Sequence, residues 1–411
     1  MSERRVFPAL LAVLCALAAA GCSRGGQKAE AARTIVFWEQ EDNFVAPFLD
    51  SLFDGFKKLP GNADVKFVRT HYHTEDQRQQ FQTASIAGNP PDLLLSPPDP
   101  AGIYSISGFI LPVEGIFDMA RFNKPVVEAI TLDGHSWGVP LSNGNHLLFF
   151  FNKRYAKTAP ETTDELARWC DAHTAEYKLS SCWAFFLGEP YWLTPWLGAF
   201  GGWPIDGRTP TLDTPAMRNA LDFVLDLRRR KHIPNECDVN CINALFKEQK
   251  VAFIIDGDWA ISTYEKQLGK DLGIAKMPKL SATGRWPAPM VSGKYFLLSS
   301  ALKGDKLELV RRFVEYAVSD GPQLAQVKTL GRLPSLTRAA RSQEIMGDPL
   351  LRASMEQILV GKPMSMATEM RAVWDAMRPL YGRVLAGQLT SDQAAAKMQK
   401  EAVAKIAEMN E

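Results

Sequence analysis

The stretch TIVFWEQEDNFVAPFLDSLFDGFKK, Thr34 to Lys58, carries the first decision about the fold. TIVFW is a β-branched and aromatic run of strand length, and VAPFLDSLFDGFKK repeats apolar residues at helical spacing. The polar turn EQEDN lies between them. The same order follows twice more: DVKFV precedes THYHTEDQRQQFQTASIAG, and DLLLS (Asp92 to Ser96) precedes AGIYSISG. Strands alternating with helices predict an α/β fold with a largely parallel sheet. Past Trp137 a second series begins, with HLLFFFNK as strand, TTDELARWCDAH as helix, CWAFFLG as a strand or buried run, and GEPYWLTPWLGAFGGW as helix. VAFIID (Val251 to Asp256) and KYFLLSS are later strands, and the last seventy or so residues are helical by periodicity. A chain of 411 residues exceeds what one hydrophobic core serves, so two lobes are expected.

The N-terminus sets the compartment. MSERRVFPALLAVLCALAAAGC has two arginines, an apolar run too short for a comfortable bilayer span, and small residues before Cys22. Residues 1–21 read as a secretory signal. Ala19, Ala20 and Gly21 resemble the bacterial lipobox, which implies a lipoprotein cleaved and acylated at Cys22; plain secretion with an unmodified Cys22 is the alternative. Residues 22–33 read as a flexible tether poor in apolar residues. The expected location is the cell envelope, periplasm or outer cell surface, with membrane attachment through the lipid anchor. Ser23 is not an inner-membrane retention aspartate, which favours the outer membrane where a cell has one.

Cys170, Cys182, Cys237 and Cys241 remain in an oxidising compartment. They read as two local disulfides, Cys170 to Cys182 and Cys237 to Cys241. A four-thiolate zinc site is the rival, although the spacings lack paired C-x-x-C knuckles. A net charge of +1 argues against a nucleic-acid partner. RRRKH, Arg228 to His232, ends the amphipathic helix MRNALDFVLDL, where cations complement the helix dipole. His71 and His73 share a strand face without a third ligand at suitable spacing, so no metal site is expected.

Ligands of open α/β sheets sit beyond the carboxyl ends of the strands. Here TIVFW runs into EQEDN, DLLLS into PPDP, and VAFIID into GDWA, so Asp42, Asp99 and Trp259 stand where a ligand would be met. Carboxylates accept hydrogen bonds from neighbouring hydroxyls and a pyranose face packs on an indole, a combination suited to a sugar. No nucleophile elbow, H-E-x-x-H, P-loop or dinucleotide fingerprint is present.

VAFIIDGDWA, GEPYWLTPWLGAFGGW, PETTDEL (Pro160 to Leu166) and EMRAVWDAMRPLYGRVLAGQLTSDQAAAKMQ occur in an order that resembles the maltose-binding type of extracellular solute-binding proteins of ABC importers. The resemblance runs from about Thr34 nearly to the C-terminus. It implies a two-lobe, type II periplasmic-binding-protein fold, each lobe a mainly parallel sheet flanked by helices and joined by a hinge. The expected first lobe is 34–142 plus 294–331 and the second 143–290 plus 335–411, with crossings near Gly138 to Leu148, Met290 and Leu333. Carried over by position, Tyr191, Trp259 and Trp374 are stacking rings, Asp42, Asp99 and Glu189 bind sugar hydroxyls, and Arg378 lies one turn past Trp374. Asn43, Ser96 and Pro100 depart from the family's basic residue, tryptophan and arginine, and Gly144 stands near another expected acid. The implied function is capture of a di- or oligosaccharide (maltose- or trehalose-like) by cleft closure and delivery to a membrane permease, as a monomer, without cofactor or catalysis. A binder of glycerol-phosphate-type or amino-acid ligands, with Arg371 and Arg378 as anion contacts, and a secreted glycoside hydrolase are the other readings.

Within the aromatic stretch, Tyr191 is read as the ligand ring and Trp196 and Phe200 as core, with Trp192 and Trp203 open. Thr390 and Gln393 form a T-x-x-Q capping box after Gly387 ends the preceding helix.

Overall fold

The computed structural model describes residues 33–409; the signal segment, Cys22 and the tether up to residue 32 lie outside the described residues. The opening stretch folds as read: strand Thr34–Glu39 is followed by helix Ala46–Lys57. The first sheet joins, in spatial order, Lys66–His71, Thr34–Glu39, Leu93–Ser96, Tyr295–Leu298 and Val139–Pro140. Its two-residue periodicity sorts the core. Ile35, Phe37, Leu93, Leu95, Phe296 and Leu298 face one apolar cluster with helices Ala46–Lys57 and Gly304–Ala317, while Leu94, Tyr295 and Leu297 face another with Phe81 and Tyr104. Both faces of the sheet are therefore covered by helices, as the unbroken apolar strands require.

The second sheet joins Leu272–Ala275, Leu147–Asn152, Phe253–Gly257 and Trp183–Ala184. In each sheet one strand opposes the rest. Tyr295–Leu298 is antiparallel to both its neighbours, and so is Leu147–Asn152. Each of these strands enters its sheet directly from the other lobe, beginning at the cleft edge where its neighbours end. The expected mainly parallel sheets hold in strand direction, but the inserted strand makes half or more of the pairings antiparallel.

The chain passes between the sheets at three places that pair with one another or with nearby backbone. Ser142–Asn143 pairs with Leu333–Pro334, Gly144 bridges Ser292, and Met290–Val291 pairs with Lys362–Pro363. Packing does not change lobes at residue 335 as expected. Leu336 and Ala339 still belong to the first-lobe core, and Met366 packs against it with its carbonyl 1.9 Å from where a Cβ on Gly102 would lie. After the third crossing the chain thus touches the first lobe at Leu336 and Ala339, lays helix Pro349–Ile358 on the second lobe, where Met277 N–H donates to Gln357 Oε1 at 2.7 Å, and returns to the first at Met366 before helices Glu369–Leu385 and Ser391–Met409 join the second.

Both disulfides form as paired, Cys170 with Cys182 and Cys237 with Cys241. The first ties helix Thr163–His173 to the start of strand Trp183–Ala184. The capping box is reciprocal: Gln393 N–H donates to Thr390 Oγ1 at 3.2 Å and Thr390 N–H donates to Gln393 Oε1 at 3.1 Å. Thr390→Ala is expected to lower stability by about 1 kcal/mol, read as a shift in the urea midpoint with an unchanged slope.

Candidate ligand-binding cleft

A cavity of about 300 Å³ opens where the strand ends of the two lobes meet. From the first lobe come Gln40, Glu41 and Asp42 beyond strand Thr34–Glu39, and Pro97 and Asp99 beyond Leu93–Ser96. Tyr191 and Trp259 come from the second lobe, and Asn145, Lys294 and Arg332 from the crossings. Thr74, at the start of helix Thr74–Ile86, completes the lining.

Local sequence explains the placement of the rings. Pro190 opens helix Pro190–Ala199, its missing N–H harmless in the first turn, and this sets Tyr191 at the cleft edge. The Tyr191 hydroxyl donates to the Asn145 carbonyl at 2.5 Å. Trp259 follows strand Phe253–Gly257 in a short 3-10 turn. A Cβ on Gly257 would lie 2.1 Å from the Trp259 ring, so glycine lets the indole fold back over the strand end. The Tyr191 and Trp259 centroids are 6.5 Å apart. Behind them Trp192 donates its indole N–H to the Ile255 carbonyl at 3.0 Å and meets Trp259 edge-on at 6.2 Å, fixing the platform from within. Trp196 is fully buried in the second-lobe core. Trp203 sits under the Lys362 ammonium, 5.0 Å away.

The hinge side of the cavity is charged and buried. Glu41 pairs with Arg332 at 2.6 Å and with Lys294 at 3.4 Å; the Glu41 and Arg332 side chains are 2 % and 6 % exposed. Burial alone would raise the Glu41 pKa, but the two cations overcome that and hold it at about 2. Each of the three groups comes from a different segment, so the triad ties the end of the first strand to two of the crossings. Among the described residues Asp99 has no cation at bonding distance, and desolvation raises the pKa of its carboxyl from the usual aspartate value. Gln40 is buried with both polar side-chain atoms unpartnered among the described residues, an amide open to a ligand or water.

Asp258, beside Trp259, accepts from the backbone N–H groups of Asn145 (3.1 Å) and His146 (3.3 Å). Gly144 has φ +145°, and a Cβ there would lie 2.0 Å from Asp258 Oδ2. Gly144→Ala is therefore expected to cost about 2 kcal/mol and to loosen the first crossing. Thermal unfolding checks it, and an unchanged midpoint would show that Asp258 can yield.

Four of the seven residues expected at the ligand, Asp42, Asp99, Tyr191 and Trp259, line this one cavity. The other three do not. Trp374 is 7 % exposed and packs in the second-lobe core, its face of helix Glu369–Leu385 covered by the helices around it. Arg378 donates from Nε and Nη2 to Glu189 at 2.9 and 3.2 Å, so these two satisfy each other. Sequence reasoning did not single out Gln40, Glu41, Thr74, Asn145, Lys294 or Arg332. The available signal was position, since Gln40 and Glu41 sit in the EQEDN turn and Lys294 and Arg332 border the crossings.

A cavity closed by two α/β lobes, with rings on one side, acids on the other and a charged hinge between, defines a two-lobe ligand-binding protein. The chain belongs to the bacterial extracellular solute-binding protein family, whose model matches residues 51–353. Its fold is similar to that of the maltose/maltodextrin-binding domain MalE from Bdellovibrio bacteriovorus bound to maltotriose, with 32% identity and a TM-score of 0.83 over 91% of this chain and 100% of that one. The maltodextrin-binding protein MdxE of Bacillus subtilis is 24% identical over 95% of both chains. A maltooligosaccharide ABC transporter solute-binding lipoprotein of Streptococcus pneumoniae is 26% identical over 75% of each.

Proposed function

We propose that this protein is the sugar receptor of an ABC importer, closing over a short gluco-oligosaccharide and handing it intact to a membrane permease outside the cytoplasm. The observation that carries the reading is the opposition, in one cavity, of the Tyr191 and Trp259 rings to the Asp42 and Asp99 carboxylates. Sugar C–H faces stack on the rings while their hydroxyls donate to the acids and to Gln40. Glu189, Arg378 and Trp374 act at the rim or behind the platform. The lobes divide within 142–146 and 290–294 and again beyond Ala339, and turn about the Glu41, Lys294 and Arg332 cluster. The protein works as a monomer, held to the envelope at Cys22.

The relatives that bind maltodextrins support this reading. The anionic-ligand alternative is disfavoured because Lys294 and Arg332 are committed to Glu41, and Arg371 and Arg378 to Glu75, Asp375 and Glu189. Titration with maltose, trehalose and maltooligosaccharides, followed by tryptophan fluorescence and by chromatography of the recovered sugar, tests the proposal. Saturable change with intact sugar is the expected result. Cleaved sugar, or competition only by anions, would remove it.

A further inference from the structure

An ionic chain crosses one rim of the cleft. Arg371 Nη1 lies 3.1 Å from Glu75 Oε1, Arg371 Nε lies 3.1 Å from Asp375, Asp375 lies 4.0 Å from Arg378, and Arg378 Nε lies 2.9 Å from Glu189. Residues 371, 375 and 378 share one face of helix Glu369–Leu385, the spacing at which side chains meet along a helix. At one end the chain reaches the first lobe through Glu75, itself held by Arg78 at 2.8 Å. At the other it reaches Glu189, which precedes the helix that carries Tyr191. Glu75 adjoins the lining residue Thr74, and the Asp99 carboxyl senses the charges of both Glu75 and Arg371. The chain therefore bounds the cavity on that side instead of decorating a remote surface.

Within it, Glu75–Arg371 joins the two lobes, since Glu75 stands on a first-lobe helix and Arg371 on a second-lobe one. A ligand that extended past Asp99 on this side would have to break that pair and part the lobes. The cavity volume, about 300 Å³, lies at the small end of ligand pockets. Partly exposed ion pairs are worth little one at a time, so it is the position of this one that matters.

We propose that the chain Glu75, Arg371, Asp375, Arg378 and Glu189 is an end stop that makes the cleft prefer disaccharide-sized sugars to longer ones, an inference that rests on the carbohydrate reading above. A built-in comparison is available. Arg208 of the second lobe also reaches the first, at Asp133, 2.8 Å away, but unlike Glu75, which follows Thr74, neither residue adjoins one that lines the cavity. Breaking that pair weakens closure over every ligand alike, whereas breaking Glu75–Arg371 changes the ranking of ligand lengths.

The experiment is calorimetric titration of the whole protein with α-1,4-linked glucose chains of two, three, four and seven units, on the natural sequence, Glu75→Gln, Arg371→Met and Asp133→Asn. The natural protein is expected to bind the two-unit sugar about tenfold more tightly than the four-unit one. Glu75→Gln and Arg371→Met shrink that ratio about three- to fivefold, the scale of one screened ion pair, while Asp133→Asn shifts all lengths equally. Equal or tighter binding of the longer chains by the natural protein overturns the end stop and leaves the carbohydrate reading standing. So does a ratio untouched by both cleft variants. Failure of every sugar to bind removes the carbohydrate reading and this inference with it.

Discussion

Arg332→Met is expected to destabilise the protein by about 3 to 5 kcal/mol, the scale seen when one member of a buried ion pair is deleted. The reason is the company Glu41 keeps. Its carboxylate is almost wholly out of water, and of its two cations Arg332 is the nearer, at 2.6 Å against 3.4 Å for Lys294. Methionine fills similar space but leaves a desolvated charge with only the longer contact. The double variant Glu41→Gln with Arg332→Met is expected to recover much of the loss, because the uncompensated charge is removed with its partner. Chemical unfolding of the three proteins at neutral pH checks this. A single variant as stable as the natural protein would mean that water reaches the triad.

The same group sets an acid limb. The Glu41 pKa is about 2 in the fold against an ordinary 4.5, a depressed value. Its contribution to stability is fully present above about pH 4.5 and is lost as pH falls through about 2, a total of about 3 kcal/mol. In Arg332→Met this limb flattens. Unfolding free energy measured from pH 6 to pH 2 gives the slope in each protein, and parallel curves would assign the acid loss to other carboxylates.

Much of the architecture was legible because it is local. The strand of Thr34–Glu39, the two-sided apolar runs at Leu93–Ser96 and Leu147–Asn152, the Pro190 helix start and the Thr390 capping box each depend on residues within a turn or two of one another. The cysteine pairs were legible for the same reason. The cleft was half legible: Asp42, Asp99 and Trp259 stand at strand ends, where α/β topology places ligand contacts, and Tyr191 came with a family resemblance. What escaped is long-range charge. Glu41 lies hundreds of residues before Lys294 and Arg332, and nothing in their neighbourhoods says that one carboxylate will collect two cations. Glu189 and Arg378 pair with each other and stay out of the cavity lining by the same rule, since opposite charges 189 residues apart meet across the fold. Trp374 lies outside the cavity lining for a different reason. Helical periodicity put it on the edge of the buried stripe, and only the packing of the surrounding helices shows that the edge is also covered.

Trp259→Ala is expected to weaken sugar binding about a hundredfold, or about 3 kcal/mol, the range of a central aromatic anchor. Two losses combine in it. The indole supplies half of the second-lobe platform facing Asp42 and Asp99, and its removal also leaves the edge of Trp192 uncovered, 6.2 Å behind it. Tyr191→Phe, by contrast, keeps a ring and gives up only the hydroxyl bond to the Asn145 carbonyl, so a loss of about tenfold or less is expected. The ordering matters more than either value, because a site that recognised its ligand through charge or hydroxyl groups alone would reverse it. Titration calorimetry on both variants, with thermal midpoints recorded to show that each is folded, decides the order. If Trp259→Ala binds as tightly as the natural protein, the ring does not face the ligand, and the cleft reads its sugar through the acids and Gln40.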